Sequence, residues 1–155
     1  MRIDIPLKDN PPTVTAQQKG ECIEYTWRNG RQVPYIKHYE KPEIVNARKF
    51  YTVSILKALK ASGQKLPKFD GPVEIDIAFV FKAPRKKDHG QPKPTKPDID
   101  NMCKLLFDVL GDELNMFTVG DQQITRLTAT KLYATQPGIY IEIHPHITTT
   151  SEAQP

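Results

Sequence analysis

Hydrophobic positions recur along this chain at two periods. Ile3, Ile5 and Leu7 alternate with polar neighbours, which predicts a short strand over 1–7 that Pro11-Pro12 terminates. Cys22–Arg28 and Gln32–Lys37 flank Asn29-Gly30, two residues that accept positive φ, and so predict a hairpin. From Pro42 to Lys60 the period lengthens to that of a helix. Ile44, Ala47, Tyr51, Ile55 and Leu59 form its inward stripe, Pro42 suits the first turn, Glu43 complements the positive end, and Ser62-Gly63 stops it. Alternation returns at Val73, Ile75, Ile77, Phe79 and Phe81, predicting a strand over 73–81. Residues 83–96 are rich in Pro, Lys and Gly and have no period, so they read as a long exposed loop. Ile99–Leu110 is an amphipathic helix with Ile99, Met102, Cys103, Leu106, Val109 and Leu110 inward. Ile124–Tyr133 and Ile139–His144 are strands joined by a turn at Gln136-Pro137-Gly138.

These elements predict an α+β fold: one domain over residues 1–147, a mixed β-sheet packed by two main helices, and a disordered tail over 148–155. With 155 residues, 38% of them hydrophobic and 26% charged, the chain is long enough for one real core. There is no internal repeat. No apolar run reaches the roughly 18 residues of a membrane span, and the start lacks the apolar segment of a signal peptide, so the expectation is a cytoplasmic protein with no membrane partner. Cys22 and Cys103 are far apart and lack a CxxC spacing, which argues against zinc and against a disulfide. Cys103 sits within the apolar helical pattern and reads as core.

Net charge is +4, too modest to indicate a nucleic-acid binder by itself. Its distribution says more. Between 82 and 104, Lys82, Arg85, Lys86, Lys87, Lys93, Lys96 and Lys104 stand against Asp88, Asp98 and Asp100. A basic surface beside carboxylates suits an enzyme that cuts a polyanion. On charge alone, a solvated lysine-rich loop fits as well or better.

The chemistry concentrates in Lys96-Pro97-Asp98-Ile99-Asp100-Asn101-Met102-Cys103-Lys104. Residues two apart on a regular helix point about 200° away from each other. Asp98 and Asp100 converge only if Asp98 lies in extended backbone before the helix, and Pro97 places the helix start there. Lys104 is one helical step of four beyond Asp100, and Asp108 one step further. Hydrolysis of a phosphodiester develops negative charge that a divalent cation offsets, and hard cations take carboxylate oxygens. Each residue also has a plainer reading. Asp98 or Asp100 caps the helix, Lys104 pairs with a neighbouring carboxylate, and Asp121 is a turn residue. His38, His89, His144 and His146 show no ligand spacing beyond the His144-Pro-His146 pair. Trp27, Tyr25, Tyr35 and Tyr39 are expected to pack, with stacking on bases as the second reading.

The segment 96–104 closely resembles the signature of the RusA family of Holliday-junction resolvases, approximately Lys-Pro-Asp-x-Asp-Asn-x-x-Lys. Further on, Gly120-Asp121-Gln122-Gln123-Ile124, then Lys131, then Gly138–Ile143 are similar to the family's second motif and closing strands. The resemblance covers about residues 72–144. It implies a catalytic set of Asp98, Asp100 and Asp121 as metal ligands with Lys104 as the catalytic lysine. It also implies Mg²⁺ or Mn²⁺ as cofactor, a homodimer, four-way branched DNA as substrate, and a prokaryotic or phage origin. Lys82, Arg85, Lys86, Lys87, Lys93 and Lys96 are then candidate DNA-backbone contacts, on a loop expected to be mobile without DNA. One residue departs from the pattern: Gly120 stands where the family usually has the first Asp of a pair. That leaves an inactive, junction-binding relative as the alternative.

Overall fold

The fold is organised around β4 (Val73–Lys82), which buries Val73, Ile75, Ile77, Phe79 and Phe81 on one face and carries Glu74 and Asp76 on the other. The computed structural model describes residues 1–14 and 19–146. In chain order the elements are β1 (Arg2–Pro6), β2 (Lys19–Arg28), β3 (Arg31–Glu40), α1 (Pro42–Ala61), β4, α2 (Ile99–Asp108), β5 (Ile124–Ala134) and β6 (Gly138–Pro145). Four strands form a sheet in the order β1-β6-β4-β5, and β2 pairs only with β3. β4 runs parallel to β5 and antiparallel to β6, so the sheet is mixed. The expected α+β architecture with two main helices is the one observed. β5 and β6 are joined by the predicted turn yet do not pair; β4 lies between them.

The parallel pair positions the site. Parallel strands need a crossover rather than a tight turn, and here the crossover carries the basic loop and α2. Both helices pack on the apolar sheet face. Tyr51, Ile55, Phe79, Leu105, Leu106, Ile139 and Ile141 are fully buried there. Cys103 is core, and burial, with Asp100 adding to it, pushes its thiol up to about 11. The other face is a ladder of exposed ion pairs, including Arg126 with Glu74 at 2.6 Å and with Asp76 at 3.3 Å.

α1 starts at Pro42 and buries all five predicted inward residues. α2 ends at Asp108 and continues as one π-helical turn, Val109–Glu113, which buries Val109 and Leu110. The hairpin turn is formed by Asn29 at φ 49° and Gly30 at φ 71°, both positive as the pair requires. Each hairpin strand is ten residues long, longer than hydropathy alone marks. One expectation fails. Trp27 and Tyr25 do not pack: they are 70% and 65% exposed, and Tyr35 and Tyr39 are exposed too. The 83–96 segment is the exposed loop expected, tied to β5 as described below. The tail expected from 148 onward lies outside the described residues.

Candidate active site

A strand at the edge of a sheet leaves backbone donors and acceptors unpaired. The basic loop satisfies those at the end of β5, from Lys131 to Ala134. Ala83 N–H donates to the Ala134 carbonyl at 2.9 Å, Gly90 N–H to Tyr133 at 2.8 Å, Tyr133 N–H to Gln91 at 2.9 Å and Lys93 N–H to Lys131 at 2.9 Å. Hydropathy could not show this, because backbone pairing needs no apolar side chain.

Two lysines then fix the approach to α2. The Lys93 ammonium lies 4.9 Å above the Phe81 ring. It donates to Thr95 Oγ1 at 2.6 Å, to the Thr95 carbonyl at 3.1 Å and to the Lys96 carbonyl. From β5, Lys131 donates to the Thr95 carbonyl at 2.9 Å and to the Pro97 carbonyl. Lys93 therefore spends its charge on the chain itself. The cis Lys96–Pro97 bond lies within this clamp. Lys131 entered the sequence reading only as a motif position. Its spacing to the motif was visible, but its partner carbonyls were not. Lys131→Met should free residues 95–97 and lower activity about 10- to 100-fold, the usual cost of losing a group that orients a functional ligand. The check is a cleavage assay paired with thermal unfolding. Unchanged activity in a folded variant would remove the clamp from the site.

The clamp delivers Asp98 at the N-cap of α2 in extended backbone, φ −73° and ψ 137°, and its side chain makes no capping bond. The capping reading of Asp98 is therefore not realised. Asp100 follows in the first turn. Both are exposed. Lys104 Nζ stands 3.5 Å from Asp100 Oδ2, one step of four along the helix.

The same helix face continues to Asp108. Arg48 of α1 bridges it at 3.4 Å to Glu40, at 2.8 Å, at the end of β3. Among the described residues the Arg48 Nε is buried without a partner. Burial holds the half-buried Asp108 carboxyl above its usual range. Arg48 opposes this, while Asp112 and Asp121 add to it. Asp108, Asp112 and Asp121, with Phe107, Gly111 and Gly120, line a small cavity of about 100 Å³. Gln123, almost wholly buried, pins this turn. It accepts from Val119 N–H at 2.8 Å and donates to the carbonyls of Phe69 at 2.9 Å and Gly71 at 2.7 Å. Gly120 has φ 93° and ψ −170°, a conformation glycine adopts readily and other residues do not. The turn that carries Asp121 therefore depends on the residue that departs from the family pattern.

The structure places Asp98 at the N-cap of α2 and Asp100 in its first turn, with Lys104 in reach of Asp100. Asp121 shares its cavity with Asp108, which lies about 12 Å beyond Asp100 by helical rise. Among the described residues, no three His, Cys, Asp or Glu side chains are grouped to hold one ion. The donor chemistry nonetheless suits Mg²⁺. That ion keeps several waters and is commonly held by one or two carboxylates, with substrate phosphate completing the shell. Of the basic candidates, Lys82, Lys86, Lys87 and Lys96 are exposed. Arg85 is engaged by Asp88 at 2.8 Å, which holds the Asp88 carboxyl low. Lys82, Arg85, Lys86 and His89 border a broad cavity of about 720 Å³.

The crossover between β4 and β5 thus presents carboxylates, a lysine and a basic rim. The family model described as Endodeoxyribonuclease RusA matches residues 26–144, most of the chain, and the protein belongs to that family. No curated protein sequence gives a significant match.

Proposed function

We propose that this protein is a structure-selective endodeoxyribonuclease that resolves four-way DNA junctions by metal-dependent hydrolysis, serving recombination and repair in the cytoplasm of a prokaryote or in a phage. The observation that carries the reading is the clamped start of α2. Asp98 and Asp100 flank the helix entry, and Lys104 lies 3.5 Å from Asp100. These are the positions that the resemblance in sequence matches to the family's motif, and the family is described as endodeoxyribonuclease. Asp98 and Asp100 would hold Mg²⁺ or Mn²⁺, with Asp121 as the third ligand the resemblance implies. The ion supplies charge neutralisation and an activated water when bound. Lys104 places an ammonium where it meets the scissile phosphate and the charge developing on it. The exposed basic residues fix the DNA backbone without reading its sequence. Two cuts on a two-fold junction need two sites related by two-fold symmetry, so the working form is a homodimer. Among the described residues, no helix is long and apolar enough to cross a membrane.

The second reading, a junction-binding relative without activity, draws on Asp121 lining a cavity with Asp108 and Asp112 rather than with Asp98 or Asp100, and on Gly120. Incubation of a labelled four-way junction with and without Mg²⁺ separates the two.

The basic loop has its own test. Each phosphate contact lowers the slope of log affinity against log salt by about 0.9. Because Asp88 already occupies Arg85, replacing Arg85, Lys86 and Lys87 with alanine should flatten the slope by about two units rather than three. Plain duplex and junction should weaken alike. An unchanged slope in a salt titration would assign DNA binding to another surface.

A further inference from the structure

The β2–β3 hairpin stands apart from the four-stranded sheet, and the extensive packing of its strands is only against each other. Residues directly opposite each other share a face. The register sets Ile23, Tyr25 and Trp27 on one face with Ile36, Pro34 and Gln32. Tyr35, Tyr39, Arg28 and Arg31 lie on the other. The tyrosines of that second face are engaged. Tyr35 Oη donates to Glu24 at 2.7 Å, and the Tyr39 ring lies over Gly20, where a Cβ would meet it at 2.3 Å. Tyr25 and Trp27 on the first face stay exposed. Charge also divides along the arm. The root holds all three glutamates, each with a partner: Glu21 with His38 at 3.3 Å, Glu24 with Lys37 at 2.7 Å and Glu40 with Arg48 at 2.8 Å. The outer half, residues 25–34, holds Arg28 and Arg31 and no acid, and neither arginine has an acidic partner among the described residues.

We infer that Tyr25 and Trp27 take an unstacked base of branched DNA, and that the hairpin tip thereby distinguishes a junction from plain duplex. The inference rests on the junction-cutting reading above. Two residues apart on one strand, the two rings spring from Cα atoms about 6.6 Å apart. That is about twice the 3.4 Å step between successive bases on a DNA strand, so one base fits between them. Arg28 and Arg31 lie on the opposite face. Their charge draws the DNA backbone to the tip and does not contact the stacked base. Magnitudes give the selectivity. Stacking on an aromatic side chain is worth about 5- to 150-fold in affinity per base. Pulling a base out of an intact duplex costs about as much or more, so plain duplex gains nothing from the rings. At a branch point the stack is already interrupted, and the cost falls as it does at any disrupted pair. In the proposed function the basic loop grips both forms alike, and the tip adds affinity only to the branched one. Arg48 ties Glu40 at the hairpin root to Asp108 on α2, which anchors the arm to the helix that carries Asp100 and Lys104.

Trp27 is the chain's one tryptophan, so its emission reports on this face directly. The test titrates the full chain, in EDTA so that nothing is cut, with a four-way junction and with a duplex of equal length. The junction should quench Trp27 emission as it binds, and bound duplex should leave it nearly unchanged. Trp27→Ala should weaken junction binding about 5- to 150-fold and leave duplex binding unchanged. Trp27→Phe, which keeps a stacking ring, should recover most of that loss. A bound junction that leaves the emission unmoved, or equal quenching by duplex, would overturn the inference. So would a Trp27→Ala variant that loses junction and duplex affinity alike, or neither. Emission that follows protein concentration and ignores DNA would also overturn it, since the face would then belong to a protein partner. None of these readouts depends on cleavage. A chain that cuts junctions with its Trp27 emission unmoved fails here alone, whereas one that is quenched by the junction and never cuts it fails only the nuclease reading.

Discussion

Asp100→Asn is expected to lower junction cleavage by about 10³-fold or more while junction binding persists or tightens. The amide keeps the shape of the carboxylate but loses the charge that holds a hard cation. Metal catalysis of this kind is worth several kcal/mol, at about 1.4 kcal/mol per factor of ten. Binding should survive because, in the proposed function, the exposed basic residues would make the DNA contacts and Asp100 would only repel phosphate. Asp98→Asn should behave the same way, since its side chain makes no capping bond that the fold would miss. Asp121→Asn is the sharper case, because Asp121 shares its cavity with Asp108 and Asp112 rather than with Asp98. A thousandfold loss there would place it in the catalytic set despite the separation. Normal cutting would restrict the set to the start of α2. Rates and affinities of all three variants should be measured at one Mg²⁺ concentration.

Lys104→Ala is expected to lower the cleavage rate about 10²- to 10³-fold, with a smaller loss of affinity. A preorganised donor aimed where charge develops acts mainly on the transition state. In the free protein Lys104 is half exposed and 3.5 Å from Asp100, and an exposed ion pair of this kind adds little to stability. The variant should therefore fold as wild type does. Single-turnover kinetics with a separate binding isotherm distinguishes the outcomes. Equal losses of rate and affinity would make Lys104 an ordinary phosphate contact.

Much of this molecule was legible where side-chain period dictates structure. The stripe of Ile44, Ala47, Tyr51, Ile55 and Leu59 and the alternation of Val73 to Phe81 mark α1 and β4 because burial selects apolar residues at those spacings. The helix start at Asp98 was legible because Pro97 restricts the backbone before it. Other features left no such trace. The basic loop is ordered by backbone bonds to β5 and by Lys93 and Lys131 gripping carbonyls, and no hydropathy pattern encodes either. Trp27 and Tyr25 read as packing residues because aromatic side chains usually find a core. Their exposure follows from the hairpin standing apart from the four-stranded sheet, which is a matter of topology. The acidic motif was found in sequence, but the placement of Asp121 toward Asp108 depends on the Gly120 turn and the Gln123 bonds that hold it.

The central claim is that the carboxylates at the clamped start of α2 make this chain a junction-cutting nuclease. Its most direct test is incubation of purified protein with an end-labelled four-way junction, with Mg²⁺ and with EDTA, beside the Asp100→Asn variant. The account predicts symmetric cleavage by wild type in Mg²⁺ alone, none in EDTA, and none by the variant although it still shifts the junction in a gel. Cleavage that persists in EDTA or in Asp100→Asn, or a wild type that binds the junction and never cuts it, would contradict the account.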